Sequence, residues 1–366
     1  MSARRRSPLT ARAERFAREL KRCEAKVALL DRVRPLNLAV ELGRLGSAFA
    51  RGARPAAHFV YGPPAELGEL RRALEEGARA LESGDDEDQL LSGRARELEL
   101  EARLAEHTGS PSFAPLAAQR FPVPPGAEAL LRLAEGFLTG PAPLQPSGHL
   151  HLSEDQQDPE SLWSKISRRV ASERWPVRVE LLPGLVSLAA VADGVVRVRP
   201  GARLTSRVAE RIALHEVEGH VRPRLRGAAL GGVFLAGSAR GSEDEEGRAI
   251  LLEERAGLLD SERRQELARR YLAVLSLRGG AELWDTVDVL GRTGATAGAA
   301  IELACRVHRG GGLGRELVYL AGYARVAQRF ASEPSLEPVM RSGRLSLEAA
   351  AQLESSLQLD DDGDVI

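Results

Sequence analysis

The chain has 366 residues, with 51 basic against 52 acidic side chains, 43% hydrophobic residues and only 4% aromatic ones. That length makes one large domain or two ordinary ones, and 28% charged residues of balanced sign disfavour both wholesale disorder and a nucleic-acid-binding net charge. Two cysteines far apart, Cys23 and Cys305, exclude a disulfide-built fold and a cysteine zinc site. Only Lys21, Lys26 and Lys165 are lysines; the arginine bias, with abundant Ala and Gly, reflects a GC-rich genome more than a mechanism. No stretch approaches the roughly 18–20 apolar residues of a membrane span. The basic start, Arg4-Arg5-Arg6, runs into Arg12, Glu14, Arg15, Arg18 and Glu19, where a signal peptide would place its apolar region. The expectation is a soluble, cytoplasmic protein.

Residues 1–34 are expected to form an N-terminal amphipathic helix over 9–34, with Phe16, Leu20, Cys23, Val27 and Leu30 recurring at three to four residues. Residues 35–140 read as a helical half, including 65–82 and 87–106, with a Pro-rich interruption from Ser110 to Pro125. Residues 141–161 read as a linker, and its His149-Leu150-His151 as a solvated pair rather than a metal site. The core is expected over 162–356. It opens on three short β-branched runs, Val177–Leu182, Val186–Val191 and Val195–Val198, separated by Pro183-Gly184 and Asp193-Gly194. These predict a small antiparallel meander. Thr205 or Ser206 then caps a helix through 207–220. Further helices are expected at 243–259, 261–278, 280–291, 295–308, 314–332 and 345–356, and 357–366 form an acidic tail. The predicted fold class is α+β and mostly helical, with the small sheet preceding the site helix and a helical N-terminal half.

On that helix stands His215-Glu216-Val217-Glu218-Gly219-His220. Two imidazoles supply neutral nitrogen ligands for zinc, and an adjacent glutamate can take a proton from a metal-activated water. The usual spacing of the histidines is i, i+4. Here it is i, i+5, which on a regular helix points the rings about 140° apart. Both reach one metal only if the helix widens into a π-turn or ends between Glu218 and Pro223. Gly219 is the residue expected to absorb that distortion, and Pro223 is expected to bias Arg222 out of helix. A third ligand is expected from the acidic stretch 243–254. Most of its acids read as a solvated face or as first-turn dipole partners. Glu246 and Glu253 lie seven apart on a partly apolar face, and periodicity leaves Glu245 open as well.

These residues resemble the metallopeptidase-like family with HExxxH and QEGLA or TEEGLA motifs. That family includes the microtubule-associated tyrosine carboxypeptidases of animals, and its bacterial members are labelled flavohemoglobin expression-modulating QEGLA-motif proteins. His215-Glu216 and His220 match the HExxxH, and Glu245-Glu246-Gly247-Arg248-Ala249 the EEGLA. Arg197–Ala202 is similar to the strand and turn before the family's active helix, 305–311 to its RVFRG segment and 317–323 to its VYLRG segment. Pro35-Leu36-Asn37 with Glu41 and Phe49 is similar to its PxN…E…F pattern, so the resemblance covers roughly 30–356. It implies a zincin-like core, one zinc ion per chain on His215, His220 and Glu246, and Glu216 as general base. Glu246 is chosen because it directly precedes the glycine. Arg248 replaces the leucine of EGLA, Glu218 adds a carboxylate within the HExxxH, and Ala321 stands where the family has arginine.

For the substrate side, Arg306, Arg309 and Tyr319 are the candidates: arginine's fork suits a terminal carboxylate, and tyrosine can donate to an oxyanion. His308, between the arginines, is a weaker one. The implied function is a zinc metallopeptidase, most plausibly a carboxypeptidase acting on a peptide or protein C-terminal tail. The alternative is a zinc-binding regulatory or interaction protein without peptidase activity. No nucleic-acid or membrane partner is expected, because no basic stripe is interleaved with stacking aromatics. Oligomeric state is left open.

Overall fold

The computed structural model describes residues 11–140, 148–192, 194–355 and 357. The basic N-terminus, the 141–147 part of the expected linker, Asp193 of the expected turn and nearly all of the acidic tail lie outside the described residues. The protein is mostly helical with a little sheet. Among the described residues, no helix is long and apolar enough to cross a membrane.

The chain divides into two compact units. One holds residues 148–263 and 322–357 of the described chain; the other holds 11–140 and 264–321. The sequence reading ran one core through 162–356, whereas 264–321 clusters with the N-terminal helices.

The unit that contains the N-terminal helices begins with Ala11–Val27, which buries Ala13, Ala17, Leu20, Cys23 and Val27 at helical spacing. Ala28 then adopts a left-handed φ of 40°, which breaks the phase and leaves Leu30 44% exposed instead of on the buried stripe. The helix Leu38–Ala50 is followed by an extended strap, not the helix expected there, up to about the helix Gly68–Leu81. Asn37 holds that strap by donating to His58 O and accepting from Val60 N, while Glu41 accepts from His58 N at 2.7 Å. Phe49 stacks on Trp284, ring centroids 5.8 Å apart. Asn37 and Glu41 of the PxN…E…F pattern therefore tie down backbone, while Phe49 packs a ring. Cys23 and Cys305 are both buried free thiols.

Among the described residues the other unit contains five short strands: β1 Leu150–Leu152, β2 Arg178–Leu181, β3 Ala189–Ala192, β4 Val195–Val198 and β5 Arg203–Thr205. β1, within the expected linker, pairs antiparallel with β5, Leu150 opposite Thr205. The remaining strands form a sheet in the order β2-β4-β3, with β2 parallel and β3 antiparallel to β4. The expected antiparallel meander is thus corrected to a mixed sheet. The tight turn at Gly194 fixes β3 against β4, so the longer link from β2 carries the chain past the open edge and leaves β4 central. β4 is also the most buried strand. Val196 and Val198 join Leu162, Ile166, Ala209, Ala213 and Val217 in one apolar cluster. This cluster supports the first turns of the histidine helix.

Candidate metal centre

Thr205 caps that helix, its Oγ1 accepting from Val208 N at 3.3 Å. Regular α-helix runs over Ser206–Leu214, π-helix over His215–Val221, and α-helix again over Arg222–Leu230. In a π-turn the repeat is i→i+5, so residues five apart share a face. His215 and His220 do so: their ring centroids are 5.1 Å apart, with planes at 65°. The widening demanded by the spacing is present, but two of its expected causes differ. Pro223 does not divert Arg222, which keeps helical angles and opens the next helix. Gly219 does not need unusual backbone angles either; its hydrogen faces Ala249, whose Cβ would lie 2.7 Å from a Cβ added there. Glycine at 219 permits close approach of two helices.

The second helix of that contact, Gly241–Arg255, carries the acids. They are not a solvated face: Asp244, Glu245, Glu246 and Glu253 are all buried. A buried carboxylate needs a partner, and each has one. Asp244 accepts from Arg325 Nε at 2.9 Å and from Leu347 N at 2.9 Å. Glu253 Oε1 lies 2.6 Å from His215 Nδ1, and its Oε2 accepts from Arg263 Nε at 3.1 Å. Glu245 Oε2 lies 3.0 Å from His220 Nδ1, close but not aligned as a hydrogen bond. Glu246 Oε2 faces the remaining nitrogens, 3.3 Å from His215 Nε2 and 3.7 Å from His220 Nε2.

His215, His220 and Glu246 thus offer one ligand atom each, all within 4.8 Å of one another and all buried. The donor set is borderline nitrogen plus carboxylate oxygen, which suits zinc. Glu253 behind the Nδ1 of His215 fixes the tautomer that leaves its Nε2 free to bind, and Glu245 places a second carboxylate beside the Nδ1 of His220. Burial pushes both histidines toward neutrality, but Glu246 and Glu253 around His215, and Glu245 and Glu246 around His220, outweigh it. His215 is raised and His220 is pushed up to about 10. Three carboxylates around two imidazoles demand positive charge, which a proton or a divalent cation can supply. Burial works against Glu253 too, yet Arg263, His215 and Arg211 hold its carboxyl down at about 2. The seven-residue spacing of Glu246 and Glu253 does not by itself separate the carboxylate facing the two Nε2 atoms from the one behind His215; the choice of Glu246 rests on the resemblance.

Glu216 is half-buried beside His215. Glu218 is drawn to Arg222, whose Nε lies 2.7 Å away. Arg306, Arg309 and Tyr319 belong to the other unit. Arg306 is committed there: its Nε donates to Glu316 Oε1 at 2.6 Å, and Arg270 donates to the second oxygen at 3.2 Å. Burial disfavours the Glu316 carboxylate, but Arg306, Arg270 and Arg309 hold it at about 2. Arg309 differs. It is 7% exposed, and its Nε has no hydrogen-bond partner among the described residues. Burial and the like charge of Arg306 bring it down to about 10. The Tyr319 hydroxyl accepts from Arg315 at 2.9 Å, and Arg270 lies 4.6 Å from its ring centroid. His308 contacts Thr286 through Nε2 at 2.9 Å, an interior hydrogen bond.

No curated protein and no solved structure matches the chain. The family model described as microtubule-associated tyrosine carboxypeptidase matches residues 49–360, a span that takes in both histidines, the buried acids and the 305–323 segments. The chain therefore belongs to the microtubule-associated tyrosine carboxypeptidase family.

Proposed function

We propose that the protein is a carboxypeptidase with a zincin-like core, holding one zinc ion on His215, His220 and Glu246. The observation that carries this reading is the meeting of two buried imidazole Nε2 atoms with one oxygen of Glu246. When bound, the ion supplies Lewis acidity toward a peptide carbonyl and acidifies water. Glu216 takes the proton of the attacking water onto its carboxylate and returns it to the departing amine. Glu253 holds the Nδ1 side of His215, so that this ring does not have to reorient during turnover, and Glu245 adds negative charge beside His220. Arg306 and Arg309 are kept as proposals for the substrate's terminal carboxylate on the sequence alone; within their own unit Glu316 already balances the charge of Arg306. Tyr319 is proposed as a hydroxyl donor toward developing negative charge.

Two measurements test this. Metal analysis of folded protein never exposed to chelator should find about one equivalent of zinc; less than half an equivalent overturns the site. A peptide-library digest read by mass spectrometry should show loss of C-terminal residues by the wild type and none by Glu216→Gln. Zinc-loaded wild type that cleaves nothing would instead make the protein a metal-stabilised binding module.

A further inference from the structure

The π-turn between the histidines ends at a residue that cannot complete it. Arg222 N donates to Val217 O, five residues back. The next residue is Pro223, which has no N–H. In the five-residue pattern its partner would be Glu218 O, and in the four-residue pattern Gly219 O. Backbone carbonyls in a packed interior need a donor. Both of these receive one from outside their helix: Arg248 Nη2 donates to Glu218 O at 3.1 Å and to Gly219 O at 2.6 Å. Arg248 is 2% exposed, so this guanidinium has been withdrawn from water to make those bonds. It stands two residues after Glu246 and one before Ala249, the residue against which Gly219 packs. It also occupies the position where the resembled EGLA motif has leucine, which donates nothing.

We infer that Arg248 is a positioning residue for the histidine pair: it replaces the hydrogen bond that Pro223 cannot give and so maintains the widened turn that puts His215 and His220 on one face. This rests on the metal reading above only for its consequence, the binding of an ion; the pairing of Arg248 with Pro223 is a property of the fold. The two substitutions should therefore be coupled. Restoring an N–H at 223 should make Arg248 dispensable.

The test compares wild type, Arg248→Leu, Pro223→Ala and the double variant in the full chain. Zn²⁺ affinity is measured by competition with a chromophoric chelator, the Co²⁺ absorption spectrum is recorded, and thermal melting is followed. Arg248→Leu should lose about ten- to hundredfold in Zn²⁺ affinity, the size of effect seen when a ligand's supporting contact is removed, and its Co²⁺ spectrum should change. Pro223→Ala alone should bind like wild type, and the double variant should recover most of the loss. Arg248→Lys, which keeps a donor, should fall between wild type and Arg248→Leu. Arg248→Leu binding as tightly as wild type, or a double variant no better than Arg248→Leu, overturns the inference. If Arg248→Leu does not fold, folding of the double variant supports the pairing and its failure to fold overturns it. A wild type that binds no Zn²⁺ overturns the metal reading instead. The pairing is then judged on melting, where a non-additive cycle keeps it and additive losses overturn it.

Discussion

A Cβ built on Gly247 would lie 2.2 Å from the carbonyl carbon of Gly322, so these two glycines meet backbone against backbone. Gly322 is equally tight in return, with Glu243 O 2.5 Å from its own Cβ position. The glycine of the EEG turn and the glycine of the 317–323 segment are thus explained by one contact. Gly247→Ala and Gly322→Ala should each destabilise by about 1–3 kcal/mol or more, because rigid backbone must move. Gly43→Ala is the control: it lies in the helix Leu38–Ala50 with nothing within 4 Å, and should gain roughly 0.5–1 kcal/mol. Denaturant melts of the three variants decide the matter, and an unharmed Gly247→Ala would refute the contact.

Close approach at Gly219 makes a second prediction. Gly219→Ala should displace the helix bearing Glu246 from the histidine turn and weaken zinc binding. Ala249→Gly in the same chain should relieve it, since the clash is with the Ala249 methyl. Isothermal titration with zinc reads the outcome. Failure of the second substitution to restore affinity would move the role of Gly219 back to backbone freedom.

Glu253 serves His215 and two arginines at once, so its removal should act on metal and fold together. Glu253→Gln should lower zinc affinity about ten- to hundredfold. Leaving Arg263 and Arg211 beside a neutral amide should also cost stability, about 3–5 kcal/mol by analogy with broken buried pairs. Stability measured with and without excess chelator separates the two losses. A variant that melts like the apo wild type contradicts the ion-pair part.

His308 predicts an acid limb of stability that does not depend on the metal site. Burial lowers its pKa to about 4, so in the folded state it stays neutral while the unfolded chain binds a proton near 6.5. Between those values the unfolded state holds more protons, and stability falls as pH drops from about 6.5 to about 4, by up to about 3 kcal/mol. His308→Gln, which keeps a polar contact to Thr286, should flatten that limb. Urea melts across pH 4–7 would show no change in slope if another group were responsible.

The histidine turn was legible in the sequence because its spacing is stereochemically awkward: two histidines five apart serve one centre only on a widened helix, and the helix is widened at His215–Val221. Glu246 could be placed through the glycine that follows it. The supporting groups were not legible. Glu253 and Glu245 read as rival ligands and Asp244 as one of the solvated or first-turn acids, since nothing local announces that Arg325, Arg263 and Leu347 N will reach Asp244 and Glu253 from outside their helix. Arg248 read as a departure from a motif, because its meaning depends on a proline twenty-five positions earlier. The strand order failed for a similar reason. Turn residues at 183–184 and 193–194 show where strands end, but only the packing of Val196 and Val198 decides which strand lies in the middle.

The unit that holds the histidines is discontinuous in the chain, and that gives its assembly a timetable. All of His215, Glu216, His220 and Glu246 have been synthesised by residue 263, yet the helix that carries Glu246 is not yet covered. Its closure needs Gly322 against Gly247, Tyr323 donating to Glu254, Arg325 on Asp244, and Ser346 N on Ser238 Oγ. A ribosome must therefore translate the whole of 264–321, which belongs to the other unit, before those contacts can form. Until then Asp244 lacks Arg325, and the Gly247 face of the helix lacks the Gly322 backbone that covers it. The covering of the helix that carries Glu246 is thus set to finish only after most of the polypeptide has emerged.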